Sequence, residues 1–292
     1  MRFPLRAYLE LIRPPNVFTA AADIIAGFLY AGGSRNEWPL AAILMVASMC
    51  LYAGGVALND VCDAGRDAAQ RPGRPIPSGR VSRRGAVIFS LLLLVCGICL
   101  SWAVSGPAAM LACGLVGAIV IYDAVLKATP LAPGIMGLCR ALNLLLGMSV
   151  TGPLDWPKAL PPAALTWLYI TSVTFFARRE ASVSGAWRLR LGTIGVATAV
   201  GGLVGLPWLT DETHLGFLFV VAGLLSWVCH LGQTAMASRS PADVQRAVQW
   251  FVLSLVVFDA CIAAAARGIP IASIVMAPMV PAASLRRYFR IT

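Results

Sequence analysis

Apolar residues run along this chain in stretches of about twenty, separated by short polar joints rich in Arg, Pro and Gly. That length at 1.5 Å per residue is what a helix needs to cross a bilayer core of about 30 Å. The pattern predicts spanning helices over 15–32, 39–60, 85–105, 107–124, 131–151, 162–178, 190–207, 214–236 and 246–266. A further apolar piece, 270–285, carries Pro270, Pro278 and Pro281, is too short to span, and reads as a re-entrant or tilted last segment. The expected fold class is all-α, a polytopic transmembrane bundle of about nine helices around a central cavity, with residues 1–292 forming one domain.

Composition supports the membrane reading. Hydrophobic residues make up 59% of the chain and charged residues only 12%, against about 25% charged in an ordinary soluble domain. The net charge of +10 would suit a nucleic-acid partner, but its distribution argues against one. Starting with the N-terminus inside, sixteen Lys and Arg fall on that side and three, Arg35, Lys158 and Arg267, on the other. The positive-inside rule then places the N-terminus and the even-numbered loops in the cytoplasm, most simply of a bacterial inner membrane. No cleavable signal peptide is expected, because Arg2, Arg6 and Arg13 precede an apolar stretch that continues into the bundle. Cys96 and Cys99 form a CxxC inside an apolar run, where cysteines behave as small hydrophobes, and His214 and His230 lack metal-site spacing.

The chemistry concentrates on the same cytoplasmic side. Asn59, Asp60, Asp63 and Asp67 close the second apolar run at helical spacing, so all four can face one cavity. Crowded carboxylates near lipid repel one another, and a divalent cation relieves that repulsion. Mg²⁺ takes few carboxylates and completes its shell with waters and phosphate oxygens, so the cluster reads as a metal–diphosphate site. The following stretch, Arg71 to Arg80, is held in a loop by Pro and Gly, and its guanidinium groups suit phosphate oxygens. Ordinary topological charge is the simpler reading for Arg80, Arg83 and Arg84. Arg140, with Asn143 nearby, lies within an apolar run and needs an acidic partner or a wet cavity; Asp23 and Asp259 invite the same reading.

Asn59-Asp60-x-x-Asp63-x-x-x-Asp67 followed by RPxRPIPSG resembles the first aspartate-rich motif and basic loop of the UbiA prenyltransferase superfamily. Arg13-Pro14-Pro15-Asn16 is similar to that family's RPxN start. Tyr122-Asp123-Ala124-Val125-Leu126-Lys127 lies where the family has a Tyr and a phosphate-binding Lys. The texture of YDAVLK and FFARRE is closest to the EboC-like branch. The resemblance implies a membrane prenyltransferase that moves a prenyl group from a polyprenyl diphosphate to a small-molecule acceptor, with Mg²⁺ as cofactor. It implies catalytic roles for Asp60, Asp63, Asp67 and Lys127, and metal ligation by Asn59, Asp63, Asp67 and Glu180. Arg13, Asn16, Asn59, Arg66, Arg71, Tyr122, Asp123, Arg140, Arg178, Arg179 and Ser184 would contact substrate. The family's second motif, DxxxD, is replaced here by Glu180 and Ser184 at i, i+4. That departure keeps open a non-catalytic relative that binds prenyl diphosphate, and the intramembrane charges keep open a small membrane transporter.

Overall fold

The computed structural model describes residues 5–178, 185–210 and 216–285. Its elements are helical: α1 (Leu5–Ile12), α2 (Pro14–Tyr30), α3 (Trp38–Gln70), α4 (Arg83–Val104), α5 (Gly106–Ile121), α6 (Ala132–Met148), α7 (Trp156–Ala177), α8 (Ala186–Gly202), α9 (Phe217–Ser238), α10 (Pro241–Ala272) and α11 (Met279–Leu285). Among the described residues, eight helical stretches are long and apolar enough to cross a membrane. The ninth expected span is α2, only 17 residues long but buried on nearly every face. A helix apolar all round belongs in the middle of a bundle. Accordingly α3, α6 and α10 all pack on α2.

The outside of the bundle is as apolar as its core. Leu91, Leu92, Val95 and Trp102 on α4, Met110 on α5 and Phe219 on α9 are all exposed. A surface of this kind requires lipid. Four tryptophans, Trp38, Trp102, Trp156 and Trp208, stand at helix ends on the face opposite the Arg71–Arg84 loop, as at a membrane interface.

Small residues set the spacing around α2. A Cβ on Gly27 would lie 2.2 Å from the Leu144 carbonyl oxygen, and one on Gly147 would lie 2.4 Å from the Ile24 carbonyl oxygen. The two glycines let the α2 and α6 backbones touch, which is how membrane helices associate without a hydrophobic driving force. That contact brings Asp23, one turn before Gly27, up to Arg140 and Asn143, two turns and one turn before Gly147.

Three features depart from the apolar pattern. α3 runs on to Gln70, so the whole acidic motif is helical. α1 is an added amphipathic helix, separated from α2 because Arg13, preceding two prolines, takes a left-handed conformation at φ 50°. A residue before Pro is barred from the helical region, so α1 cannot continue into α2. At the other end α10 breaks at Gly268, φ 73°, two residues before Pro270. Beyond the break the chain turns back, and α11 packs along α2.

Candidate active site

The acidic motif occupies roughly a 100° arc of α3, since successive helical residues advance by about 100°. Asn59 and Asp63 fall at one edge of that arc, and Asp60 and Asp67 at the other. The structure uses the two edges separately. Asn59 Nδ2 donates to Asp123 Oδ1 at 2.7 Å, and Lys127 pairs with Asp63. Lys127 also lies 3.9 Å from Asp123. Both contacts join i, i+4 residues of α3 to i, i+4 residues beyond α5, like two rungs of a ladder. The segment Tyr122–Leu126 is a single π-helical turn. Such a turn inserts an extra residue into the helix and re-aims its side chains, and it recurs at functional sites.

At the other edge, Arg13 Nη2 meets Asp60 Oδ1 at 2.7 Å. Arg74 Nη1 bridges Asp67 Oδ2 at 2.6 Å and Asp60 Oδ1 at 3.3 Å. Arg66 reaches back one turn to Asp63 Oδ1 at 2.7 Å, from a more exposed position. The motif therefore does not face one space as a unit: its carboxylates are divided between two sets of cations. Four carboxylates, Asp60, Asp63, Asp67 and Asp123, meet four cations, Arg13, Arg66, Arg74 and Lys127. Among the described residues no three acidic side chains converge on a ready-made metal cage. The donors nonetheless suit Mg²⁺, which takes one or two carboxylates and fills the rest of its shell with water and phosphate. Asn59 Oδ1 and Asp67 Oδ1 have no partner among the described residues.

A cavity of about 240 Å³ opens beside this cluster. Arg13, Asn59, Tyr122 and Asp123 line its mouth. Val56, Leu115, Ile119, Met136 and Cys139 form apolar walls, and Ser48, Tyr52, Arg140 and Asn143 form its floor. The floor is tied to α2. Arg140 Nη1 meets Asp23 Oδ2 at 2.8 Å, Asn143 Nδ2 donates to the same oxygen at 2.7 Å, and Ser48 Oγ donates to Asn143 Oδ1 at 2.7 Å. The expected acidic partner of Arg140 is thus Asp23, while Asp259, fully buried, lies against Asp23.

Other expected site residues are placed elsewhere. Arg71 is exposed and its side chain makes no polar contact among the described residues, whereas Arg74, three residues on, binds two carboxylates. Asn16 holds the start of α2 through its backbone, accepting from Thr19 Oγ1, and its side chain stands outside the cavity lining. Arg178 Nη2 donates to the Thr129 carbonyl at 2.8 Å, fastening the end of α7 to the loop after Lys127. Arg80 fulfils a local role, pairing with Glu10 of α1 at 2.5 Å. Arg179, Glu180 and Ser184 lie outside the described residues. The sequence reading took Arg74 only as one guanidinium of the basic loop, and it missed Tyr52 and Ser48. Ser48, Tyr52, Gly55 and Asn59 follow one stripe of α3 at spacings of four, three and four, so the first two were recoverable as polar positions in register with Asn59.

A helix bundle with an apolar exterior, a charged mouth and an apolar throat defines an integral membrane protein. The chain belongs to the UbiA prenyltransferase family, whose profile matches residues 20–255. It is 33% identical over 207 residues to the digeranylgeranylglyceryl phosphate synthase of Methanopyrus kandleri, an alignment covering 68% of this chain and 71% of that one. It is 35% identical over 127 residues to the enzyme of the same name from Methanothrix thermoacetophila, covering 44% of this chain and only 48% of that relative's length. Among solved structures, that of a digeranylgeranylglyceryl phosphate synthase superposes with a TM-score of 0.71 at 21% identity, over 91% of this chain and 99% of that one. A UbiA homologue from Archaeoglobus fulgidus bound to GPP and Mg²⁺ superposes with a TM-score of 0.60 at 15% identity, over 95% of this chain and 99% of that one. At these identities the structural likeness establishes the shared fold.

Proposed function

We propose that this protein transfers a prenyl group from an allylic polyprenyl diphosphate to a small acceptor, the diphosphate being held at the mouth and the reaction taking place in the apolar throat. The observation that carries this reading is the double rung from α3 to the π turn, Asn59–Asp123 and Asp63–Lys127, at the entrance of a cavity with hydrocarbon walls. It supplies a cation and acidic groups at the place where a diphosphate would enter.

Donor binding exchanges partners. Lys127, Arg13 and Arg74 turn from their carboxylates to phosphate oxygens, and Asp63 and Asp67 are freed. Asn59, Asp63 and Asp67 would hold Mg²⁺, with Glu180 as a further ligand; the ion supplies charge compensation for the departing diphosphate. Positive groups placed where charge develops stabilise the leaving group more than the bound donor. Ionisation breaks the bond between C1 of the prenyl chain and its oxygen, and the electron pair leaves with the diphosphate. Val56, Leu115, Ile119 and Met136 keep water from the allylic cation until the acceptor's electron pair closes on C1. The acceptor's proton leaves to the diphosphate or a mouth carboxylate. The family names of the relatives make geranylgeranyl diphosphate the first donor to try. The excess of Lys and Arg on the side of the mouth supports a cytoplasmic mouth.

The test is release of pyrophosphate from geranylgeranyl diphosphate by purified protein in the presence of Mg²⁺. Release that depends on both protein and Mg²⁺ is expected. Donor binding without any release, with a range of acceptors supplied, would instead mark a binding protein.

A further inference from the structure

Arg140 carries more hydrogen-bond donors than the protein uses. Nη1 meets Asp23 Oδ2 at 2.8 Å and the Thr19 carbonyl at 3.3 Å, and Nη2 meets Thr19 Oγ1 at 2.8 Å. A guanidinium has five N–H groups, so Nε and one hydrogen of Nη2 have no partner among the described residues. The group sits over the Tyr52 ring, 5.3 Å from its centroid, and both side chains line the cavity floor. The Tyr52 hydroxyl likewise has no partner among the described residues. Inside a membrane bundle, unused donors facing a cavity call for a ligand oxygen or a water.

Position decides which substrate supplies that oxygen. Tyr52 precedes Asn59 by two helical turns on α3, about 10 Å along the axis. The donor's diphosphate occupies the mouth, and its tail is hydrocarbon with nothing to offer the floor. The floor is left to the second substrate. Charge then decides the chemistry. Asp23 already balances Arg140, and the fully buried Asp259 lies against Asp23. A carboxylate or phosphate on the floor would add a third acidic group around one guanidinium in apolar surroundings. A neutral oxygen accepts from Arg140 without that cost and also takes a hydrogen bond from Tyr52.

We propose that Arg140 and Tyr52 form the acceptor subsite, for a compact neutral molecule whose hydroxyl or carbonyl oxygen rests on the floor while its reacting atom reaches C1 of the donor. The proposal rests on the prenyl-transfer reading above. 2-Naphthol and 2-naphthoate share a ring system and differ in charge at neutral pH, so they separate the two chemistries. Each is titrated calorimetrically, alongside sn-glycerol 1-phosphate, into full-length protein in lipid nanodiscs. Wild-type protein is expected to bind 2-naphthol at least about tenfold more tightly than the two anions. Tyr52→Phe, which keeps the ring under Arg140, and Arg140→Lys, which keeps the charge, are each expected to weaken 2-naphthol about tenfold, or about 1.4 kcal/mol. Circular dichroism of both variants confirms that they are folded. Three results overturn the proposal: no 2-naphthol binding by wild type, tighter binding of 2-naphthoate or the phosphate, or 2-naphthol affinity unchanged in both variants. Pyrophosphate release by the same wild-type preparation is read separately. Its absence beside the expected binding pattern sinks prenyl transfer and leaves the neutral-ligand subsite standing.

Discussion

The mouth and the floor of the cavity contain the same kinds of groups and use them differently. At the mouth, carboxylates and cations meet at helix ends, where Arg66 and Lys127 share Asp63 and keep more access to water than the floor pair, so these contacts exchange partners at lower cost than the more buried Arg74–Asp67 pair. At the floor, Asp23 is completely buried and Arg140 nearly so, locked between α2 and α6 by two glycines that bring the backbones together. An ion pair at a wet helix end contributes little to stability, whereas breaking a buried one leaves an uncompensated charge. The mouth is arranged to let go of its partners and the floor to keep them. Prenyl transfer needs both, a site that admits and releases a diphosphate and a rigid wall against which the second substrate is placed.

This contrast can be broken most severely at the floor. Arg140→Ala leaves Asp23 buried without its cation and is expected to cost about 3–5 kcal/mol. The loss should appear as a lowered unfolding midpoint and poor recovery of folded protein from membranes. A smaller stability effect, of about 1–3 kcal/mol, is expected from Gly147→Ala, since its Cβ would press on the Ile24 backbone. The same unfolding assay reads it. A midpoint unchanged in both variants would mean that the α2–α6 contact is looser than described. At the mouth the order reverses, with function lost and stability kept. Lys127→Ala is expected to reduce pyrophosphate release by about 10²-fold or more while leaving the unfolding midpoint near that of wild type. The smallest effect belongs to Arg80→Ala. Its pair with Glu10 is half-exposed, its bond to the Gly73 carbonyl is at the surface, and it is not part of the cavity lining, so both turnover and midpoint should stay close to wild type, within about 0.5 kcal/mol.

Much of this architecture is written in the spacing of apolar runs. Length in lipid leaves a helix little freedom, so α3 to α10 fall where hydropathy places them, and the acidic motif declares itself by four polar residues at helical intervals. Arg140 and Asp23 were legible because a charge inside an apolar run must find company. Loop geometry was not. Nothing in Arg71-Pro72-Gly73-Arg74 says which guanidinium turns inward, since both flank a turn whose direction is set by tertiary contacts with α3 and α1. The π turn at Tyr122–Leu126 was equally hidden, because a one-residue insertion in a helix leaves the apolar pattern almost unchanged. The division of Asn59 and Asp63 from Asp60 and Asp67 follows from those two features and could not be read without them.

The role of the mouth as a site for a diphosphate and its metal is tested most directly by a Mg²⁺ titration of pyrophosphate release from geranylgeranyl diphosphate in wild type, Asp63→Ala and Asp67→Ala. Asp63 and Asp67 belong to different ion-pair sets, so a shared role in metal and donor binding predicts that both substitutions cut release by about 10²-fold or more, with part of the loss recovered at high Mg²⁺. Wild-type rates and an unchanged Mg²⁺ dependence in both variants would show that the acidic motif is only a solvated helix end.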